Sequence, residues 1–299
     1  MATMREIKRR KASIQSTEQI TNAMKLVSTV KLQKSRAKAE RTRPYSDMMY
    51  ATVTHVLSRT GQIQHPYLQP GQSEKKGIIV VSSNRGLAGG YNSNIVRLVQ
   101  GSGINPADAV LYTVGKKARE ALSHRGYAVV QDYSDRIESP EYADAMEIGR
   151  RVLEDYQHQE IGEIYLVYTS FKNTVSHEPK MIRLLPVDRE NETADENASA
   201  ADDRLSEVVA QEDTTPMNYE PGEEDVLDAL IPLYMNSLIY GALVESLASE
   251  NGARMQAMDA ATSNAEEMID KLSLQYNRAR QASITQEITE IIGGANAIG

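Results

Sequence analysis

The stretch SNRGLAGGYN, residues 83–92, comes nearest to a ligand-binding loop in this 299-residue sequence. It follows an apolar run and opens a helical pattern. Phosphate-binding loops sit at such junctions, where backbone N–H groups and a helix N-terminus converge. The spacing is neither G-x-G-x-x-G nor G-x-x-x-x-G-K-[ST], and no Lys follows the glycines. The stretch therefore reads as a tight βα turn, with positive φ at Gly86, Gly89 or Gly90. The five histidines (His55, His65, His124, His158, His177) are scattered. None pairs with a carboxylate at metal-ligand spacing, and there is no H-E-x-x-H. There is no G-x-S-x-G elbow. With no Cys at all, thiolate nucleophiles, zinc–thiolate sites and iron–sulfur clusters are excluded. The residues point to no catalytic group, no metal and no cofactor.

Charge is distributed unevenly. The formal net charge is −8, yet residues 1–43 hold twelve Lys/Arg against three Glu. Residues 188–225 hold fourteen Asp/Glu against Arg189 and Arg204. The basic arm is threaded by an apolar stripe, which argues against a bare helix in a DNA groove and for acidic protein partners. The acidic segment is polar and irregular and reads as a flexible insertion. Apolar residues make up 40% and aromatics 5%, nearly all Tyr, which suggests an elongated molecule. No uninterrupted run of about 18 apolar residues exists to span a membrane, and MATMREIKRRKASIQ has no secretory apolar core.

Residues 1–43 contain neither Gly nor Pro and are rich in good helix formers. Ile7, Ile14, Ile20, Met24, Val27 and Val30 suggest one helical stripe. Pro44 is expected to kink the helix or mark a break. The pattern resumes through Met48, Met49, Val53, Val56 and Leu57, for a helix of roughly 80 Å ending near Gly61. The runs GIIVVSS (77–83), AVLYTVG (109–115), YAVVQDY (127–133), EIYLVYTSF (163–171) and MIRLLPV (181–187) read as strands, the last two as a hairpin. Helical patterns between them imply an α/β domain with a partly parallel sheet. From Glu223 a second long helical pattern runs to a cap signal at Gly293-Gly294. Two long helices bracketing one α/β domain are expected to pair as an antiparallel coiled coil, with Met24, Met255, Met258 and Met268 in the seam. The expected divisions are a coiled-coil helix (1–58), a linker (59–76), the α/β domain (77–187), the acidic insertion (188–221) and a second coiled-coil helix (222–299).

Three stretches carry a family resemblance. IKRRKASIQSTEQITNAMKLVSTVKLQKSR, SNRGLAGGYN, and RMQAMDAATSNA with YNRARQASITQEITEIIGGANAI together resemble the gamma subunit of bacterial F-type ATP synthases in order, spacing and terminal position. The acidic stretch 188–215 is longer than that family usually has, and Ala88 stands where many members carry Cys. The resemblance implies an α+β or α/β chain, with an antiparallel coiled coil and a Rossmann-like domain. It implies a non-catalytic central-stalk rotor that couples a proton- or sodium-driven membrane ring to an alpha/beta hexamer. It further implies that Met24, Arg254, Gln281, Thr285 and Glu287 meet the catalytic hexamer, and that Tyr219 and Glu220 lie beside the membrane-embedded c ring and the epsilon subunit. The implied location is the cytoplasmic face of the plasma membrane, peripheral, without nucleic acid or direct membrane insertion. The alternatives are a self-associating coiled-coil scaffold or a nucleotide-binding α/β protein.

Overall fold

A computed structural model describes residues 4–59, 65–174, 176–187, 219–220 and 222–298. The expected helix end near Gly61 and most of the acidic insertion lie outside the described residues. In chain order the elements are α1 (Met4–Arg59), β1 (Lys76–Val81), α2 (Tyr91–Gly101), β2 (Ala109–Val114), α3 (Lys116–Ser123) and β3 (Ala128–Asp132). Then come α4 (Tyr142–Gln157), β4 (Glu163–Phe171), β5 (His177–Leu185) and α5 (Glu223–Ile298). Pro66–Leu68 form a single 3-10 turn. The chain forms two compact units. One holds the described residues up to Val30 and those from Arg254 on; the other runs from Lys31 to Ala253.

The larger unit is built on a five-stranded sheet in the order β3-β2-β1-β4-β5. β1 pairs in parallel with β2 and β4, and β2 with β3, while β4 and β5 form an antiparallel hairpin. Period-two alternation sends Ile78 and Val80 to one face and Ile79 and Val81 to the other. The first pair packs with Ile95 and Val99 of α2 and Ala118 and Leu122 of α3. The second packs with Ile148 and Val152 of α4 and Leu227, Ile231, Met235 and Ile239 of α5. Both faces of β1 and β2 are covered, so these two strands read as continuous apolar runs. Burying each such aliphatic side chain stabilises by about 1.5–3 kcal/mol. α5 includes a stretch long and apolar enough to pass for a membrane span. Its Leu227, Ile231, Met235, Ile239 and Leu243 are instead fully buried against this core.

Pro44 marks no break: α1 runs on through it, as α5 runs through Pro232; the cap signal at Gly293-Gly294 and the start of β5 are corrected. Each proline frees the carbonyl four residues earlier, at Glu40 and Asp228. Both residues are exposed, which leaves the freed acceptors on the outer side of their helices. α5 also continues past Gly293-Gly294 to Ile298; a glycine costs a helix only about 1 kcal/mol. β5 begins at His177 rather than 181 and contains Pro179, opposite Thr169. β5 is an edge strand, where a missing N–H is tolerated. Gly115 is among the glycines the backbone requires. Gly115 joins β2 to α3 at φ 117°, and a Cβ there would lie 2.1 Å from the Ser82 carbonyl oxygen.

Candidate functional site

In the smaller unit α1 and α5 run antiparallel. The Thr21 and Thr262 hydroxyls meet at 2.8 Å, and Lys25 Nζ meets Asp259 Oδ1 at 2.6 Å. Moving forward along α1 thus moves backward along α5. The inward positions repeat every seven residues. Ile7, Thr21 and Ser28 are buried and Ile14 half-buried on α1. Met258, Ala265 and Leu272 are buried on α5, as is Thr262, with Ile269 and Tyr276 half-buried. That is a heptad seam. Each hydroxyl also lies within reach of a carbonyl of its own helix, Thr262 of Met258 at 2.8 Å and Thr21 of Glu18 at 3.0 Å, so one of the two donates across the seam while the other donates to its own helix. The Lys25–Asp259 pair is partly exposed and contributes at most about 1 kcal/mol.

The apolar stripe expected from the sequence is therefore only partly the seam. Ile20, Val27 and Val30 are 60%, 58% and 53% exposed, and Leu26 joins them outside. Met258 faces inward, Met24 and Met255 are half-buried, and Met268 is exposed. Thr21 and Ser28 take the inner positions although hydropathy does not mark them. The signal that finds them is the strict seven-residue step from Ile7 through Ile14. The seam is therefore mixed: Thr21, Ser28 and Thr262 place small hydroxyls among Ile7, Met258, Ala265 and Leu272, while four large aliphatics stand outside. On α5, every described side chain from Ile284 to Gly293 is exposed, including Ile284, Ile288, Ile291 and Ile292.

The residues singled out by resemblance fall in two places. Met24, Arg254, Gln281, Thr285 and Glu287 all belong to the helix pair. Met24 and Arg254 are half-buried; Gln281, Thr285 and Glu287 are exposed. Arg5, Lys8, Arg9 and Arg10 are exposed on the first turns of α1. Tyr219 and Glu220 belong to the larger unit. Tyr219 packs half-buried against the core that holds Leu227 and Ile231, while Glu220 is exposed.

Loop 83–92 uses its polar groups on itself and its neighbours. The Ser83 amide donates to Asn92 Oδ1 at 3.0 Å, and Asn92 Nδ2 donates to Ser83 Oγ at 2.7 Å. Asn84 Nδ2 donates to the Ser134 carbonyl at 2.7 Å, and its Oδ1 accepts the Lys116 amide at 3.1 Å. Positive φ occurs at Gly89, as anticipated, and at Leu87, which was not anticipated. The tight βα turn is the structure observed. Next to this turn, the Arg119 guanidinium and the Thr113 and Ser134 hydroxyls surround Asp132 and hold its carboxyl below the ordinary range against the opposing effect of burial, the largest influence on it.

Comparison with known proteins agrees with this architecture. A family model described as ATP synthase matches residues 3–298. The ATP synthase gamma chain of Lachnoclostridium phytofermentans is 63% identical over 298 residues, covering all of both chains. The sodium ion specific ATP synthase gamma chain of Acetobacterium woodii is 40% identical, covering 99% of this chain and 98% of that one. Among solved structures, a chain of the Tetrahymena thermophila mitochondrial ATP synthase central stalk and c ring superposes with a TM-score of 0.57 at 26% identity. That match covers 81% of this chain and 99% of the other.

Proposed function

Because the chain belongs to the ATP synthase gamma chain family, we propose that it is the central-stalk rotor of an F-type ATP synthase, coupling ion-driven rotation of a membrane ring to the catalytic sites of an alpha/beta hexamer. The observation that carries this reading is the apolar outer face of the helix pair. Its seam takes in the hydroxyls of Thr21, Ser28 and Thr262, while Ile20, Leu26, Val27 and Val30 stand more than half exposed. Aliphatic surface of that kind marks a site where another protein closes over it. Apolar contact has no preferred bonding direction, so a sleeve around it can slide.

Sliding alone would transmit nothing. A rotor must also present different contacts to each catalytic subunit, so that one conformation is favoured at each step. That is coupling through differential binding. Met24, Arg254, Gln281, Thr285 and Glu287 are the proposed contacts with the hexamer, the last four through directional hydrogen bonds. The exposed arginines and lysine of the first α1 turns suit acidic loops of the same partner. Tyr219 and Glu220 are the proposed contacts with the c ring and the epsilon subunit. In this reading the chain contributes no catalytic group of its own, and the complex holds it at the cytoplasmic face of the membrane. The coupled ion is a proton or sodium.

The test is reconstitution with the matching alpha, beta, epsilon and ring subunits in vesicles. ATP-driven ion uptake should require this chain. Uptake that proceeds equally well without it would overturn the proposal.

A further inference from the structure

β1 ends at Val81, and its last pairing with β4 joins Val80 to Val167. β4 continues to Phe171. Beyond Val167 the edge of β4 turned away from β5 has lost its neighbouring strand, yet it remains covered, with Thr169 only 3% exposed. Main-chain groups buried there need partners. α5 supplies them from its side chains. Ser246 Oγ accepts the Thr169 amide at 3.2 Å, and the Ser249 hydroxyl donates to the Thr169 carbonyl at 3.2 Å. Glu245 Oε2 accepts the Phe171 amide at 3.3 Å. Ser246 and Ser249 are wholly buried. From the other side the Tyr91 hydroxyl, at the start of α2, donates to the Ser246 carbonyl at 3.2 Å. One turn on, Gly252 makes room for the His177 ring, which stacks on Phe171; a Cβ at 252 would stand 2.6 Å from His177 Cε1.

A helix packed on a sheet by aliphatic side chains alone can roll or slide with little penalty. Here one turn of α5 takes the place of a missing strand and bonds to two residues of β4. Those bonds break under either rolling or sliding, because each depends on donor–acceptor alignment. We propose that Glu245, Ser246 and Ser249 are positioning residues that key α5 to the sheet, so that twist applied to the α/β unit is delivered to the helix without slack. This rests on the rotor reading and deepens it by naming where, within this unit, torque would enter the helix.

The test uses the full chain assembled with its hexamer and ring. In the Ser246→Ala/Ser249→Ala variant, amide exchange at Thr169 should quicken by about fivefold per bond lost. Unloaded ATP hydrolysis should stay unchanged. Under viscous drag on a bead attached to the α/β unit, the angular spread of the stalled rotor should widen. Glu245→Gln keeps an oxygen acceptor for Phe171 and should match the unaltered chain; Glu245→Leu should behave like the serine variant. Unchanged angular spread in both the serine variant and Glu245→Leu would overturn the proposal. If the serine variant does not assemble, the two Glu245 variants decide alone. If the unaltered chain itself fails to rotate, the rotor reading falls instead, and the quickened exchange still tests the bonds.

Discussion

The heptad seam makes a sharp prediction, because the chain has no native cysteine to interfere. In a Thr21→Cys/Thr262→Cys variant, two thiols replace hydroxyls that lie 2.8 Å apart. That separation is short enough for the two Cβ atoms to reach disulfide spacing. Oxidation should therefore bridge one chain to itself. The closed loop spans 241 positions, and chain-entropy scaling gives about 5 kcal/mol for so long a loop. Both forms of the variant lack the hydroxyl pair, so its loss cancels, and a gain of about 5 kcal/mol should appear between reduced and oxidised samples, as a shift in the urea midpoint of the helical signal. Faster migration on a non-reducing gel should report the internal bridge. The control is Val27→Cys/Met258→Cys. Val27 points outward, so this pair should stay reduced under the same oxidant. Efficient bridging of Val27 to Met258, with none at Thr21 and Thr262, would refute the assigned seam and restore the hydropathy stripe.

Other outcomes follow from the same structure. Gly115→Ala forces a side chain onto the Ser82 carbonyl at a positive φ, and should destabilise by about 3 kcal/mol or more, read from the denaturation midpoint by tyrosine fluorescence. Burial holds the His177 imidazole below its usual pKa of 6.5. The unfolded chain therefore takes up this proton first, so the contribution is full above that value and is lost as pH falls below it. A His177→Phe variant should lose less stability than the unaltered chain between neutral pH and pH 5; equal slopes would sink the assignment. Deleting residues 288–299 should leave assembly and much of the rotation intact, whereas Arg254→Ala/Gln281→Ala should slow cooperative turnover by a larger factor. Measuring both in reconstituted hexamers decides it, and the opposite ranking would reverse the roles given to these residues. Met24→Lys should leave hydrolysis running while lowering the ions pumped per ATP, and an unchanged ratio removes Met24 from coupling.

The centre of the sheet was legible in the sequence because both faces of β1 and β2 are covered. GIIVVSS and AVLYTVG are short, apolar at consecutive positions and rich in β-branched residues, which favours strand over helix. The long helices were legible from composition. The seam between them was not, since hydropathy measures what avoids water, and here Thr21 and Ser28 are inside while Val27 and Val30 remain outside. One helix end failed: the Gly293-Gly294 pair is a local stop signal, but the surrounding helix overrides a penalty of only about 1 kcal/mol per glycine. The candidate contacts were reachable only by resemblance, because Gln281, Thr285 and Glu287 have the chemistry of any exposed helical residue until a partner is considered. The bonds from α5 to β4 had no sequence signal at all. They depend on where β1 stops.

The hydroxyls set into the seam also have a local thermal consequence. The heat capacity of unfolding scales with the apolar area newly exposed to water, and polar exposure lowers it. Parting the helices around Thr21, Ser28 and Thr262 uncovers little aliphatic surface, because much of it is already wet on the outside. The free energy of parting at those positions should therefore trace a shallower curve with temperature than at Ile7, Ala265 and Leu272, where apolar side chains are buried. The α/β unit, with Ile78, Val80, Ile95 and Leu111 wholly buried, should follow a strongly domed one. Cooling weakens a hold built on apolar burial, so the grip at Thr21, Ser28 and Thr262 should be the less affected by cold.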